Sequence, residues 1–168
     1  MPGIVNNPQI VPAEDIRKGK WSGWDGVEAH KLGTCSVVAI ANEEAFLLSN
    51  ISSDGFREVT AAQKLCDRYN ADKSFFGDKP VNVWIVYAHV NEGKGRSIVD
   101  VMRRRIQHAP ILEQKYDGES FMRPPTEAGA LFRLELAGCT LLATMRRQDG
   151  AGSPVEVTDN GQILRPGL

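Results

Sequence analysis

The stretch "LGTCSVVAIANEEAFLLSN", residues 32–50, decides the fold of this chain. It contains most of two apolar runs of strand length, "CSVVAIA" and "AFLLSNI", joined by the polar connection Asn42-Glu43-Glu44. Two such runs around a short polar connection are typical of a β-hairpin. Because both runs are almost continuously apolar, we expect the two strands to be buried on both faces.

Two helices and another strand follow this hairpin. The segment "EVTAAQKLCDRYNA", residues 58–71, has apolar residues at helical spacing, and "VNVWIVYAHV", residues 81–90, alternates as a strand does. The segment "SIVDVMRRRIQHA", residues 97–109, predicts a second helix. We expect this helix to begin at Ser97 as N-cap and to end before Pro110.

The C-terminal part predicts further β structure. The runs "ALFRLEL" and "CTLLATMRR" flank Ala137-Gly138 and predict a second hairpin. Asp159-Asn160-Gly161 is a strong short signal for another hairpin turn. Between the second helix and these strands, we interpret residues 113–127 as a long surface loop.

This order of elements predicts an α+β fold, with a mainly antiparallel sheet or a β-sandwich and two helices packed on it. A chain of 168 residues fits one domain. Residues 1–26 are rich in Pro, Gly, Asn and charge and show no sustained period. We interpret them as an N-terminal arm lying over a single domain of residues 27–168.

Composition and charge exclude several function classes. With 20 Lys and Arg against 21 Asp and Glu, the net charge is −1, so no overall field attracts nucleic acid or anionic lipid. No apolar stretch reaches the length of a signal-peptide core or a membrane helix, and we expect a cytoplasmic protein that binds no membrane. The three cysteines, Cys35, Cys66 and Cys139, are widely spaced and odd in number, which predicts free thiols.

Three other patterns carry no predicted chemistry. The segment "EGKGRS", residues 92–97, lacks the spacing of a nucleotide-binding loop and is interpreted as a strand-to-helix turn. Three successive arginines, residues 103–105, spread around a helix and favour a solvated surface. His30, His89 and His108 have no metal-ligand spacing with one another or with a cysteine, so we expect neither a metal nor a cofactor.

Cys35 is the strongest candidate for chemistry. The sequence "LGTC" places a flexible turn directly before a thiol, where backbone N–H groups can lower the thiol pKa and form an oxyanion site. Cysteine is also among the most often buried residue types, and the same pattern fits a core residue that opens a strand. The residues alone favour the buried interpretation.

The stretch "KLGTCSVVAIANEEAFLLSNIS", residues 31–52, resembles the nucleophile region of the deamidase-like families, which include the bacterial chemoreceptor glutamine deamidase CheD and the cytotoxic necrotizing factor toxins. Its spacing is closer to a group of fungal intracellular members, which have a Gly-Cys-Ser/Thr turn, a short hairpin and then a His. In those families the Cys attacks a side-chain carboxamide and the His acts as base and then as acid. The resemblance implies a deamidase-like fold and a thiol-dependent hydrolase acting on a carboxamide or another carbonyl.

Transferred to this sequence, the resemblance makes Cys35 the nucleophile, with Gly33 and Thr34 as the turn that forms the oxyanion site. The position of the family's His falls on Asn50. An Asn side chain can orient a group or donate to an oxyanion, but it does not exchange a proton near neutral pH. The helper Thr of the family falls near Ala29 and is absent as well.

The missing base leaves three explanations open. His89 could serve instead, because its strand should lie near the centre of the sheet and leave it partly desolvated; His30, five residues before the thiol, is the other candidate. Alternatively, the chain is a catalytically degenerate binding module that uses the same cleft. A separate alternative is a small-molecule isomerase or cyclase in which Cys35 only lines the cleft. The expected partner is a protein side chain or a small molecule, and the oligomeric state is not indicated.

Overall fold

The computed structural model describes residues 8–11, 15–23, 26–53, 55, 57–116, 130–137 and 140–147. Within those ranges the chain forms nine strands and two α-helices. In chain order they are β1 Pro8–Ile10, β2 Ile16–Lys20, β3 Gly26–Leu32, β4 Ser36–Ala41, β5 Ala45–Ile51, α1 Glu58–Ala71, β6 Asn82–Ala88, α2 Glu92–Arg105, β7 Ile111–Tyr116, β8 Ala130–Ala137 and β9 Thr140–Arg147. Two 3₁₀ turns, Lys73–Phe76 and His89–Asn91, follow α1 and β6.

The strands form two sheets. The larger has the strand order β2-β5-β4-β6-β7 and the smaller has the order β1-β3-β8-β9. Pairing is antiparallel except between β6 and β7 and between β1 and β3, which are parallel. Because β6 and β7 run parallel, the chain needs a crossover between them, and α2 provides it.

The five-stranded sheet lies between two hydrophobic cores. On one face, Val37, Trp84 and Val86 pack with Phe132 and Leu134 of the smaller sheet. The opposite face packs against α1 and α2 in a second cluster, which includes Val38, Ile40, Ile85, Leu65, Cys66 and Met102. The α+β fold predicted from the sequence, with two helices packed on a largely antiparallel sheet, is therefore confirmed.

The central hairpin agrees closely with its prediction. Strands β4 and β5 pair in antiparallel register, with Val37 opposite Asn50 and Ala39 opposite Leu48. Every residue of both strands is buried, as their continuous apolar character predicts. The Asn42 side chain organises the turn, because its Oδ1 accepts hydrogen bonds from the backbone N–H groups of Glu44 at 2.9 Å and Ala45 at 3.1 Å.

The start of α2 corrects the sequence interpretation. The helix begins at Glu92, so the segment interpreted as a turn is helical and Ser97 is not its N-cap. The hydroxyl of Ser97 instead donates to the carbonyl of Gly93, one turn earlier, at 3.1 Å. Gly95 lies inside this helix rather than in a turn, and its lack of a side chain allows α2 to lie against the ring of Tyr87.

Two further segments differ from expectation. Residues 113–116, assigned to a surface loop, belong to β7, whereas residues 117–129 and the Asp159-Asn160-Gly161 turn lie outside the described residues. In the segment interpreted as an arm, β1 and β2 are edge strands of the two sheets. Neither helix in the described ranges combines the length and apolar character needed to cross a bilayer.

Candidate functional site

Cys35 lies directly before β4, at the end of the five-stranded sheet where β5, β6 and β7 finish and α2 begins. Its side chain is half-buried and packs against the core between the two sheets. Cys35 and Cys66 are not joined in a disulfide. A partly buried cysteine at the end of a strand is a candidate for contact with a ligand.

The turn that carries Cys35, residues 33–35, is held by side chains from three other elements. The Tyr116 hydroxyl donates to the Cys35 carbonyl at 2.5 Å, and Asn91 Nδ2 donates to the Thr34 carbonyl at 3.1 Å. The Thr34 and Ser53 hydroxyl oxygens are 2.5 Å apart. Strand β7, the 3₁₀ turn after β6 and the loop after β5 therefore all fix this turn.

These contacts also set the direction of a backbone donor. The Thr34 carbonyl and the Cys35 N–H belong to one peptide unit, and a trans peptide points these two groups in opposite directions. By holding the Thr34 carbonyl, Asn91 fixes where the Cys35 N–H points. A backbone N–H held in one direction beside a nucleophile is the kind of group that stabilises an oxyanion.

Lys94 brings a positive charge to the same region. From the first turn of α2, its ammonium group donates to the carbonyls of Ser53 and, at 2.9 Å, Gly55. Because the Ser53 hydroxyl contacts Thr34, Lys94 is linked through one residue to the turn that carries Cys35. Lys94 thus stabilises the loop that closes this end of the sheet.

Asn50 shares the inter-sheet face with Cys35. It pairs with Val37, two residues into β4 from Cys35, and side chains two apart on a strand point to the same face. Asn50 is 2% exposed, and its Nδ2 donates to the Val11 carbonyl at 3.0 Å. Its Oδ1 is buried and has no hydrogen-bond partner among the described residues. The amide thus holds the residue 11 backbone against β5.

Two histidines are candidates for the replacement base. The surroundings of His89 differ from those predicted, and the side chain of His30 lies outside the described residues. Strand β6 ends at Ala88, so His89 belongs to a 3₁₀ turn and is exposed rather than partly desolvated within a central strand. It remains at the same end of the sheet as Cys35, because β4 and β6 are antiparallel neighbours. His30 lies in β3 where the pairing with β8 shifts register, and its side chain is outside the described residues.

A cavity of about 480 Å³ opens beside this end of β5. It is lined by Asn50 and Ser52 from the strand and the loop after it, and by Arg57, Thr60 and Lys64 around the N-terminus of α1. This volume lies in the range of small-ligand sites. Two cations, Arg57 and Lys64, lie along the wall of this cavity near the N-terminus of α1.

Four residues of this site were missed in the sequence: Ser53, Asn91, Lys94 and Tyr116. Lys94 lies in the "EGKGRS" segment and Asn91 directly before it. The glycines of this segment favour a turn, and no spacing marks its polar residues as parts of a site. Tyr116 falls in the segment interpreted as a loop. The weak alternation of apolar and polar residues in "ILEQKY" is a signal that could have marked a strand. Only the pairing of β7 with β6 brings Tyr116 to Cys35.

The fold and this site define the chain as an α+β protein with a half-buried thiol in a fixed turn at one sheet end. No family model and no curated protein matches it. Among solved structures it is similar to the C-terminal domain of CNFy from Yersinia pseudotuberculosis, at 11% sequence identity and a TM-score of 0.46. The match covers 93% of this chain, which spans about three fifths (61%) of the length of that structure. The similarity concerns the fold.

Proposed function

We propose that this protein is a thiol-dependent hydrolase that converts a side-chain carboxamide to a carboxylate, with Cys35 as its nucleophile. One observation carries the proposal: partly buried Cys35 belongs to a turn in which Asn91 holds the Thr34 carbonyl and Tyr116 holds the Cys35 carbonyl. A thiol beside an oriented N–H has the two groups that acyl transfer needs first. The resemblance of residues 31–52 to the nucleophile region of deamidases gives independent support.

The proposed reaction has two halves. The Cys35 thiolate attacks the carboxamide carbon and forms a C–S bond, while the Cys35 N–H donates a hydrogen bond to the developing oxyanion. The C–N bond then breaks, and the nitrogen takes a proton and leaves as ammonia. Water adds to the thioester, the C–S bond breaks, and the products are a carboxylate and the regenerated thiol.

The proton acceptor in this proposal is a histidine. His89 lies at the same end of the sheet as Cys35 and is exposed, so it is open to a substrate bound there. His30 of β3 is the second candidate. General acid–base help of this kind is worth about 10² to 10⁴ in rate, so removing the correct histidine has a large effect.

Thiol labelling and ammonia release test the proposal together. We expect iodoacetamide to modify Cys35 in the folded protein much faster than Cys66, which is fully buried. Ammonia release from a glutamine-containing peptide should disappear in Cys35→Ala and persist in the matched control Cys66→Ala, with both variants folded by circular dichroism. Unchanged turnover in Cys35→Ala, or a Cys35 as slow to label as Cys66, would falsify the proposal.

A binding module without acyl chemistry is the second candidate, and Asn50 favours it. The position where the resemblance calls for a His holds a buried amide committed to the Val11 carbonyl. If His89→Ala and Cys35→Ala both keep ligand binding and neither the wild type nor the variants release ammonia, the chain uses this end of the sheet only to bind.

A further inference from the structure

A second cavity lies at the opposite end of the five-stranded sheet from Cys35. It has a volume of about 430 Å³ and opens where β6 starts, between the last turns of α1 and α2. Strand β6 runs from Asn82 beside this cavity to Ala88 near the Cys35 turn. Seven residues of extended chain separate the two regions by about 20 Å. The cavity is therefore independent of the site described above.

The lining of this cavity carries only one sign of charge. Lys73, Arg104 and Arg105 contribute to it, together with His108, and no lining residue is acidic. In a chain with a net charge of −1, this is a marked local excess of positive charge. A concave surface with charge of one sign focuses its field and attracts counter-ions.

Two of these cations have no counter-ion within the part of the chain that the structure describes. Among the described residues, the structure has no ion pair or hydrogen bond from Lys73 or Arg104 to a carboxylate. Arg105 contacts Asp67, whose own side chain is exposed, and a guanidinium with five N–H donors keeps others available. Lys73 and Arg104 are thus the groups best placed to meet an external anion.

The end of a helix accounts for some of this charge but not for its placement. Arg103, Arg104 and Arg105 all lie in the last turn of α2, where cations offset the negative end of the helix dipole. Arg103 does so without lining the cavity. The negative ends of α1 and α2 also weaken anion binding here, so a bound anion needs several cations at once.

The rest of the lining includes the polar Asn70 and Gln107, but one part of it is apolar and can hold an organic group. Ile106 and Val81 are almost fully buried and form one wall, beside Pro80. Tyr69 is half-buried, and its ring contacts the ring of Phe76 edge-on with centroids 5.3 Å apart. Burial and the nearby Asp78 raise the pKa of the Tyr69 phenol, so it stays protonated and able to donate a hydrogen bond.

We propose that this cavity binds a small phosphomonoester, with the phosphate between Lys73 and Arg104 and the organic part against Tyr69 and Ile106. A guanidinium binds phosphate oxygens in pairs and an ammonium adds a point charge, and together they suit a dianion better than a single carboxylate. The volume fits a small molecule rather than a polymer.

Calorimetric titration of the full chain at about 0.15 M salt tests the proposal. The probes are phenyl phosphate, inorganic phosphate and benzoate, which separate the contributions of the dianion and of the ring. We expect phenyl phosphate to bind with a Kd of about 1 mM or tighter, inorganic phosphate more weakly and benzoate most weakly. Absence of saturable binding of phenyl phosphate overturns the proposal.

Matched variants locate the binding. Arg104→Gln should weaken phenyl phosphate binding at least about tenfold. Arg103→Gln removes the same charge from the neighbouring position of the same helix, outside the cavity, and should change it less than about twofold. Equal loss in the two variants means that surface charge alone attracts the anion, and the proposal is then wrong. Cys35→Ala should leave this binding unchanged, which separates it from the proposed hydrolase activity.

Discussion

Gly95 of α2 lies directly against the ring of Tyr87 in β6. A Cβ added at position 95 would overlap three carbon atoms of that ring, and the ring is fully buried. The contact fixes the separation of helix and sheet at the point where α2 passes over β6. Since the 3₁₀ turn and the first turn of α2 supply Asn91 and Lys94, this close packing also positions two residues of the Cys35 region.

We therefore expect opposite effects from one substitution at two glycines of the same helix. Gly95→Ala should lower the free energy of unfolding by about 1–3 kcal/mol, because the added methyl group overpacks the core. Gly93→Ala has nothing within 4 Å of its added Cβ and should raise that free energy by about 0.5 kcal/mol through helix propensity. Urea unfolding followed by circular dichroism measures both. A stabilised Gly95→Ala variant would show that helix and sheet can separate at no cost.

Asn42 is expected to be the most sensitive position of the central hairpin. Its side chain is 2% exposed, accepts two backbone hydrogen bonds within the turn and donates to the Phe76 carbonyl at 2.9 Å. Asn42→Ala leaves these buried backbone groups without partners and should cost about 2–3 kcal/mol in the free energy of unfolding.

The adjacent Glu43 provides the control for Asn42. Its carboxylate forms an exposed ion pair with Lys79 at 2.9 Å, and such pairs contribute about 0–1 kcal/mol. Glu43→Ala should therefore shift the urea midpoint far less than Asn42→Ala. If the two shifts are equal, the hydrogen bonds of Asn42 do not hold the turn.

The buried thiol of Cys66 should make the folded protein less stable in alkaline solution. Burial raises the pKa of its thiol to about 11, from an ordinary value of 9.0. The folded state therefore holds this proton more tightly than the unfolded state does. The stabilisation is complete below pH 9 and is lost as the pH rises from 9 towards 11, by roughly 1.4 kcal/mol per pH unit at most.

The comparison of wild type with Cys66→Ala isolates this effect. Tyr69 and Tyr87 also have raised pKa values, and they too lower the free energy of unfolding at high pH. Their effect is the same in the wild type and in Cys66→Ala. The free energy of unfolding of the wild type should fall more steeply than that of Cys66→Ala between pH 8.5 and pH 10.5. Parallel curves would mean that the Cys66 thiol ionises in the folded protein as readily as in the unfolded one.

The elements predicted correctly are those whose signal is local. The runs that became β4 and β5 are continuous and apolar, and α1 has strong helical spacing, so their bounds follow from the sequence itself. The strands that were missed depend on distant partners: β3 pairs with β1 and β8, and β7 pairs with β6 across α2. Glu28 within β3 illustrates the difficulty, because its charge argues against burial until Arg133 of β8 pairs with it.

The candidate site divides in the same way. Cys35 and Asn50 could be found because both lie in the hairpin, whose register follows from its short turn. Asn91, Lys94 and Tyr116 come from elements brought together only by the βαβ crossover, and no spacing in the sequence marks their convergence. The sequence located the thiol, and the tertiary structure supplied the groups that hold its backbone.

The relation between positions 35 and 50 can be tested by restoring the residue that the resemblance calls for. Asn50 lies opposite Val37 and on the face that Cys35 shares. In Asn50→His, one ring nitrogen can keep the bond to the Val11 carbonyl while the other is left to exchange a proton. An imidazolium beside a thiol stabilises the thiolate, so iodoacetamide should modify Cys35 about tenfold faster near pH 7 than in the wild type.

Asn82→His is the matched control for this last experiment. Asn82 is likewise a buried Asn with an Oδ1 that lacks a partner among the described residues. It lies at the start of β6, at the end of the sheet away from Cys35. The Asn82→His variant carries the same substitution and should destabilise the fold to a similar extent. It should leave the rate of Cys35 alkylation unchanged. Faster labelling in Asn50→His alone places position 50 within reach of the thiol. The same rate in both variants and the wild type would contradict the correspondence between position 50 and the family's His that the resemblance implies.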